Sequence, residues 1–145
     1  IIAACSSTTC PNMIQFPHSR LSLAAVDANV VSFQALFDVN DDTGFDAIIA
    51  ERGFDEVSQR FIENTQVARS YMETIDTDLT GQVDLVEGGS ETNCMNAAAN
   101  PDVASEVLPA CTLYGLIKRV VDDMKIDFVT ILNVNLPGGT RADND

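Results

Sequence analysis

Histidine is almost absent from this chain: His18 is the only one, and tryptophan is missing altogether. A Ser-His-Asp or Cys-His centre would need His18, which follows Pro17 in a Ser- and Pro-containing arm and reads as an exposed side chain. Basic residues are scarce as well, eight Lys and Arg against 22 Asp and Glu, for a net charge of -14. Phosphate backbones demand Lys and Arg, so nucleic acid is excluded as a partner, and anionic membrane surfaces are disfavoured. Cations, basic partners or simple solubility remain. No apolar run approaches the ~18 residues of a membrane span. No CxxC occurs, which removes thioredoxin-like and zinc-ribbon chemistry. There is no phosphate-cradling Gly-rich loop; Gly88-Gly89 and Gly138-Gly139 read as turns. No spacing singles out a carboxylate pair for acid–base work. The chain is therefore not expected to be an enzyme.

What is present is the material for one domain. The 145 residues are 46% hydrophobic and 21% charged, enough for a packed core. Four cysteines, Cys5, Cys10, Cys94 and Cys111, allow two disulfides in three connectivities. The economical pairing closes two local loops, Cys5–Cys10 and Cys94–Cys111, and points to an extracytoplasmic compartment: secreted, periplasmic or an organelle lumen. The alternative is four buried thiols in a reducing cytosol.

Residues 1–20 read as an irregular N-terminal arm, 21–136 as a single helical domain and 137–145 as a polar tail. Leu21, Ala24, Ala25, Ala28, Val31 and Ala35 recur at helical steps through Phe37. A short helix over Ala47–Ala50 stops near Gly53, and Asp55 is placed to cap a helix running to Ile75. Gly88 to Asn100 looks weakly structured. Pro101, capped by Asn100, can open another helix, and Pro109 either kinks it or marks its true beginning. Leu113 to Met124 is strongly helical, with Leu113, Leu116, Ile117, Val120 and Val121 on one apolar face; Ile126 to Val134 reads as a short strand or helix.

Asp76-Thr77-Asp78-Leu79-Thr80-Gly81-Gln82-Val83-Asp84-Leu85-Val86-Glu87 is the segment with chemistry. Calcium is a hard cation that takes six to eight oxygens. Asp76, Asp78 and Thr80 supply side-chain oxygens at alternate positions, Gly81 stands at the sharp turn, Gln82 offers its carbonyl, Asp84 acts directly or through water, and Glu87 closes with two oxygens. Ile75, Met72, Tyr71 and Ala68 precede the loop at apolar helical offsets. The segment is similar to the calcium loop of the EF-hand superfamily. It departs from that pattern in Thr80, which removes a charge, and after Glu87, where Gly88 and Gly89 replace an apolar exiting helix.

Asp38-Val39-Asn40-Asp41-Asp42-Thr43-Gly44-Phe45-Asp46, beginning 38 residues earlier, resembles a degenerate second copy. Gly44 comes one place late, Ile49 takes the place of the closing Glu, and Glu51 lies two residues too far on. The resemblance covers about residues 21–90. It implies an EF-hand-like helix-loop-helix pair and is silent on the arm and the last fifty residues; with the C-terminal helix and the irregular disulfide-stapled N-terminal arm read from the rest of the sequence, the expected fold is mostly α. It also implies one structural rather than signalling Ca2+ held by Asp76, Asp78, Thr80, Gln82, Asp84 and Glu87. The second reading is an all-α structural subunit of a larger extracytoplasmic assembly, with a protein partner and no functional metal. A surface lipoprotein is a variant of it, because Ile2-Ala3-Ala4-Cys5 resembles a bacterial lipobox.

Overall fold

A computed structural model describes residues 18–19, 21–39 and 43–132. They are mostly helical, and no strand occurs among them. The helices are α1 (Ser22–Phe37), α2 (Phe45–Glu51), α3 (Asp55–Met72), α4 (Leu79–Leu85), α5 (Glu91–Ala99), α6 (Pro109–Asp123) and α7 (Val129–Leu132). The long α3 and α6 pack on each other; α1 and α2 lie against α3, and α5 lies against α6. The arm with Cys5 and Cys10, Pro137 and the rest of the tail, and the pairing expected for Cys5–Cys10 lie outside the described residues.

The local chemistry explains most boundaries. α2 stops in a Schellman turn: Gly53 sits at φ +84°, its N–H donates to Ala50 O at 2.8 Å, and the Phe54 N–H donates to Ile49 O at 3.2 Å. α3 opens with Asp55 and Glu56 in its first turn, where acids complement the helix dipole. Asp55 is thus the first helical residue and not the cap that its sequence position suggested. α4 is capped by Asp78, whose Oδ1 accepts from Gly81 N at 2.9 Å. Pro109 is the first residue of α6, where its missing N–H leaves no acceptor unsatisfied.

Two expectations from the sequence are corrected. Gly88 to Asn100 is not weakly structured, since Glu91–Ala99 is helical. Pro101 does not open a helix; it lies buried in a turn after α5, and Pro109 marks the true start. The strand-or-helix ambiguity at Ile126 resolves as helix through Leu132: a π-helical turn, Met124–Phe128, extends α6 into α7.

The main core joins α1, α2, α3 and the α6–α7 extension through Phe37, Ile49, Val57, Phe61, Val120, Phe128 and Ile131. Three rings meet at its centre, with centroids 4.3 Å apart for Phe37–Phe61, 5.1 Å for Phe37–Phe128 and 5.0 Å for Phe61–Phe128. Arg60 fastens the same elements from outside: its Nε lies 3.0 Å from Asp123 Oδ1 and its Nη2 bonds Asp127. Burial opposes the guanidinium charge, yet Asp123 and Asp127 outweigh it and hold the Arg60 pKa above its ordinary value. Asn64 donates to the other Asp123 oxygen at 2.9 Å.

A second cluster, Val86, Leu108 and Cys111 with Cys94 and Ala97 against it, surrounds the Cys94–Cys111 disulfide expected from the sequence. Three contacts share one register here. Cys94 bonds Cys111 across a separation of 17, and Arg119 grips both Asp102 oxygens at 2.7 Å across the same separation. Between them, a Cβ added at Gly115 would fall 2.1 Å from Ala98 O. The chain from 94 to 102 therefore runs in the same direction as α6, and the segment after Asp102 returns to start α6 beside the disulfide. Ser105 holds that return: its N–H donates to Thr112 Oγ1 at 3.1 Å and its Oγ accepts from Leu108 N at 3.0 Å.

Candidate functional site

The acidic segment at 76–87 follows α3 through a short turn. Ile75 N donates to Met72 O, and Asp76 and Thr77 are exposed. The segment was expected as a loop, but Leu79–Leu85 is helical. The reason is local: Asp78 is a good N-cap, and the apolar Leu79, Val83 and Val86 recur at helical spacing. Asp76 and Asp78 line a cleft of ≈ 500 Å³ whose walls include Leu23, Ile75, Gln82 and Leu85.

Of the remaining expected ligands, Gln82 also lines this cleft, whereas Thr80, Asp84 and Glu87 do not. The Gln82 side chain is buried, and its Oε1 accepts from Ala110 N at 3.5 Å, tying α4 to the start of α6. The Gln82 carbonyl, expected to face a cation, accepts from the Val86 N–H inside the helix. Thr80 is half-buried within α4, while Asp84 and Glu87 are exposed on α4 and in the turn after it. Gly81 lies inside the helix rather than at a sharp turn; the positive φ, +115°, belongs to Gly89, in the wide turn between α4 and α5. Among the described residues, no group of three or more His, Cys, Asp or Glu is arranged to hold a metal ion.

The earlier acidic segment is described only in part, since residues 40–42 lie outside the described residues. Ile49, at the place of a closing Glu, is 0% exposed and belongs to the main core. Its identity is set by packing. Gly44 is needed for space, because a Cβ there would fall 2.2 Å from both Phe37 O and Asp46 Oδ1. That Asp46 oxygen is buried without a hydrogen-bond partner among the described residues.

A different surface stands out. α1 has sixteen residues and one ionisable side chain, Asp27, which pairs with Arg69 Nε at 3.1 Å. Its inner side packs through Phe33 and Phe37 on Phe61. Of the residues whose periodicity marked the helix, Ala25 is half-buried, and Leu21, Ala24, Ala28, Val31 and Ala35 lie on the exposed side. Their steps of three, four, three and four residues are those of a helix-pairing seam. Leu36 and Val39 are exposed at the C-terminal end of the same helix, 62% and 47% respectively. No family model matches the chain, and neither a curated protein nor a solved structure matches it.

Proposed function

We propose that the chain is a non-catalytic, disulfide-stapled helical subunit of an extracytoplasmic assembly, docking through the outer face of α1. The observation that carries this reading is the composition of α1 against its position. α1 carries one charged residue in sixteen, and Leu21, Ala24, Ala28, Val31 and Ala35 stand exposed along it, with only Asn29 and Ser32 as exposed polar side chains between them. A chain with a net charge of -14 has acids to spare for a solvent face. Keeping them off this one makes sense where a partner helix covers it. The Cys94–Cys111 bond supports the compartment, since disulfides persist where the surroundings oxidise.

The test is Ala28→Glu, alone and with Val31→Glu. On a free surface such changes stay within about 0.5 kcal/mol of neutral and leave particle size untouched. On a docking face they leave the fold intact and release the chain from its partner. Sedimentation of the native complex reads the difference, and an unchanged particle overturns the proposal.

Calcium is the second reading, favoured by Asp76 and Asp78 sharing the cleft at the α3–α4 junction. Occupancy of all six expected positions requires α4 to unwind through its last turn, freeing the Gln82 carbonyl from the Val86 N–H. The lost helix lowers affinity, so binding is expected in the ~10⁻⁴–10⁻³ M range of extracellular modules. Calorimetric titration should give one site in the wild type and none in Glu87→Gln. Heat that is identical in both proteins sinks this reading.

A further inference from the structure

α5 is held unlike the other helices. Its nine residues are too few for a stable isolated helix. Alone among the described helices, it contains no buried residue. Its face toward α6 is built of small, half-buried side chains, Cys94, Ala97 and Ala98, so little apolar area fastens it. Both of its ends run into exposed backbone. Before it come Gly88 and Gly89, with open space where a Cβ would stand. After it, beyond the buried Pro101, Val103 and Val107 are 74% and 67% exposed. The Asp102–Arg119 pair adds a two-point contact, but it lies beyond the end of α5 and is solvent-screened, with the Asp102 side chain 77% exposed. The covalent bond is the strongest tie across this contact.

We propose that Cys94–Cys111 is a redox latch. Oxidised, it holds α5 on α6. Reduced by a dithiol, it lets α5 swing about Gly88-Gly89 and uncovers the Val86–Leu108–Cys111 cluster and the Gly115 face of α6.

The two sulfurs differ in access, and this sets the order of steps. Cys111 is 5% exposed, whereas Cys94 is only half-buried. An incoming thiolate therefore attacks Cys94 Sγ. A new S–S bond forms to the reductant, the protein's S–S bond breaks, and its electron pair leaves on Cys111 Sγ, which takes up a proton. The reductant's second thiolate then attacks its own linked sulfur. Cys94 leaves with the electron pair and is protonated. One dithiol and one disulfide become one cyclic disulfide and two cysteine thiols, with two electrons and two protons passing to the protein.

Hydrogen exchange on the full chain tests the latch, with mass spectrometry before and after dithiothreitol and with alkylation to count thiols. Cys94→Ser/Cys111→Ser separates this bond from any effect at Cys5 and Cys10. In both the reduced wild type and the double variant, amides of residues 91–99 should exchange about tenfold faster or more, as in a local opening. Those of α3 around Phe61 should keep their protection. Unchanged protection over 91–99 in the fully reduced protein overturns the latch. Loss of protection across α3 as well also overturns it, because the bond is then a staple for the whole fold.

Discussion

At the scale of single residues, the α5–α6 contact is governed by what is missing from Gly115. With Ala98 O 2.1 Å from the position of an added Cβ, and that oxygen part of a backbone, the helices must separate to admit a methyl group. Gly115→Ala is expected to lose about 1–3 kcal/mol to overpacking, more than alanine's helix preference of about 1 kcal/mol returns. Gly88 has nothing within 4 Å of its added Cβ. Gly88→Ala should gain about 0.4–1 kcal/mol by restricting the unfolded chain. Urea denaturation of the two variants should therefore shift in opposite directions. Asp102 supplies a pH signature. The hydrogen bond from Arg119 chiefly holds its pKa below the ordinary 3.8; desolvation pushes back, and the Arg119 charge adds to the lowering. A depressed folded-state pKa means that its contribution is present above 3.8 and is lost as pH falls through the lower folded value. Denaturation midpoints of the wild type and Asp102→Asn should differ near neutrality and converge in the acid range below 3.8. A gap that persists to the acid limit removes this ion pair as the cause.

At the scale of elements, the three-ring contact couples α1, α3 and the α6–α7 extension, so its loss should be felt by all three. Phe61→Ala is expected to cost about 3–5 kcal/mol, and exchange protection should fall in α1 and α7 as much as in α3. A loss confined to α3 would show that the rings touch without coupling. Much of this helical layout was legible. Gly53 as a stop, the apolar period of Leu113–Met124 and the local pairing of Cys94 with Cys111 each rest on chemistry confined to a few neighbouring residues. α5 was not legible, because Thr92, Asn93 and Asn96 give it no apolar stripe and its stability comes from α6. The repeated separation of 17, Cys94 to Cys111 and Asp102 to Arg119, was the signal that could have found it. One disulfide pair with a second, charge-complementary pair at the same offset implies two segments running side by side. The helical turns of 76–87 were hidden for a different reason. Asp78, which suits a calcium loop, also suits the cap of a helix, and Gln82 found its partner in Ala110, 28 residues away.

At the scale of the whole molecule, two regions of the chain divide the work. The three-ring core and the Arg60 clamp tie α1, α3 and the α6–α7 extension into one centre, while α1 turns Ala24, Ala28, Val31 and Ala35 outward. The period of α1 was plain in the sequence, but which side faced the core was not. Both sides carry apolar residues, and only the positions of Phe33 and Phe37 against Phe61 decide it. The claim that this outer face is a docking surface is tested most directly by the native mass of the complex isolated without denaturant, compared between wild type and Ala28→Glu. The 145-residue chain alone weighs 15.6 kDa. The expected result is a wild-type particle heavier than this and an Ala28→Glu chain, equally well folded, at 15.6 kDa. A wild-type particle of 15.6 kDa under the same conditions would contradict it.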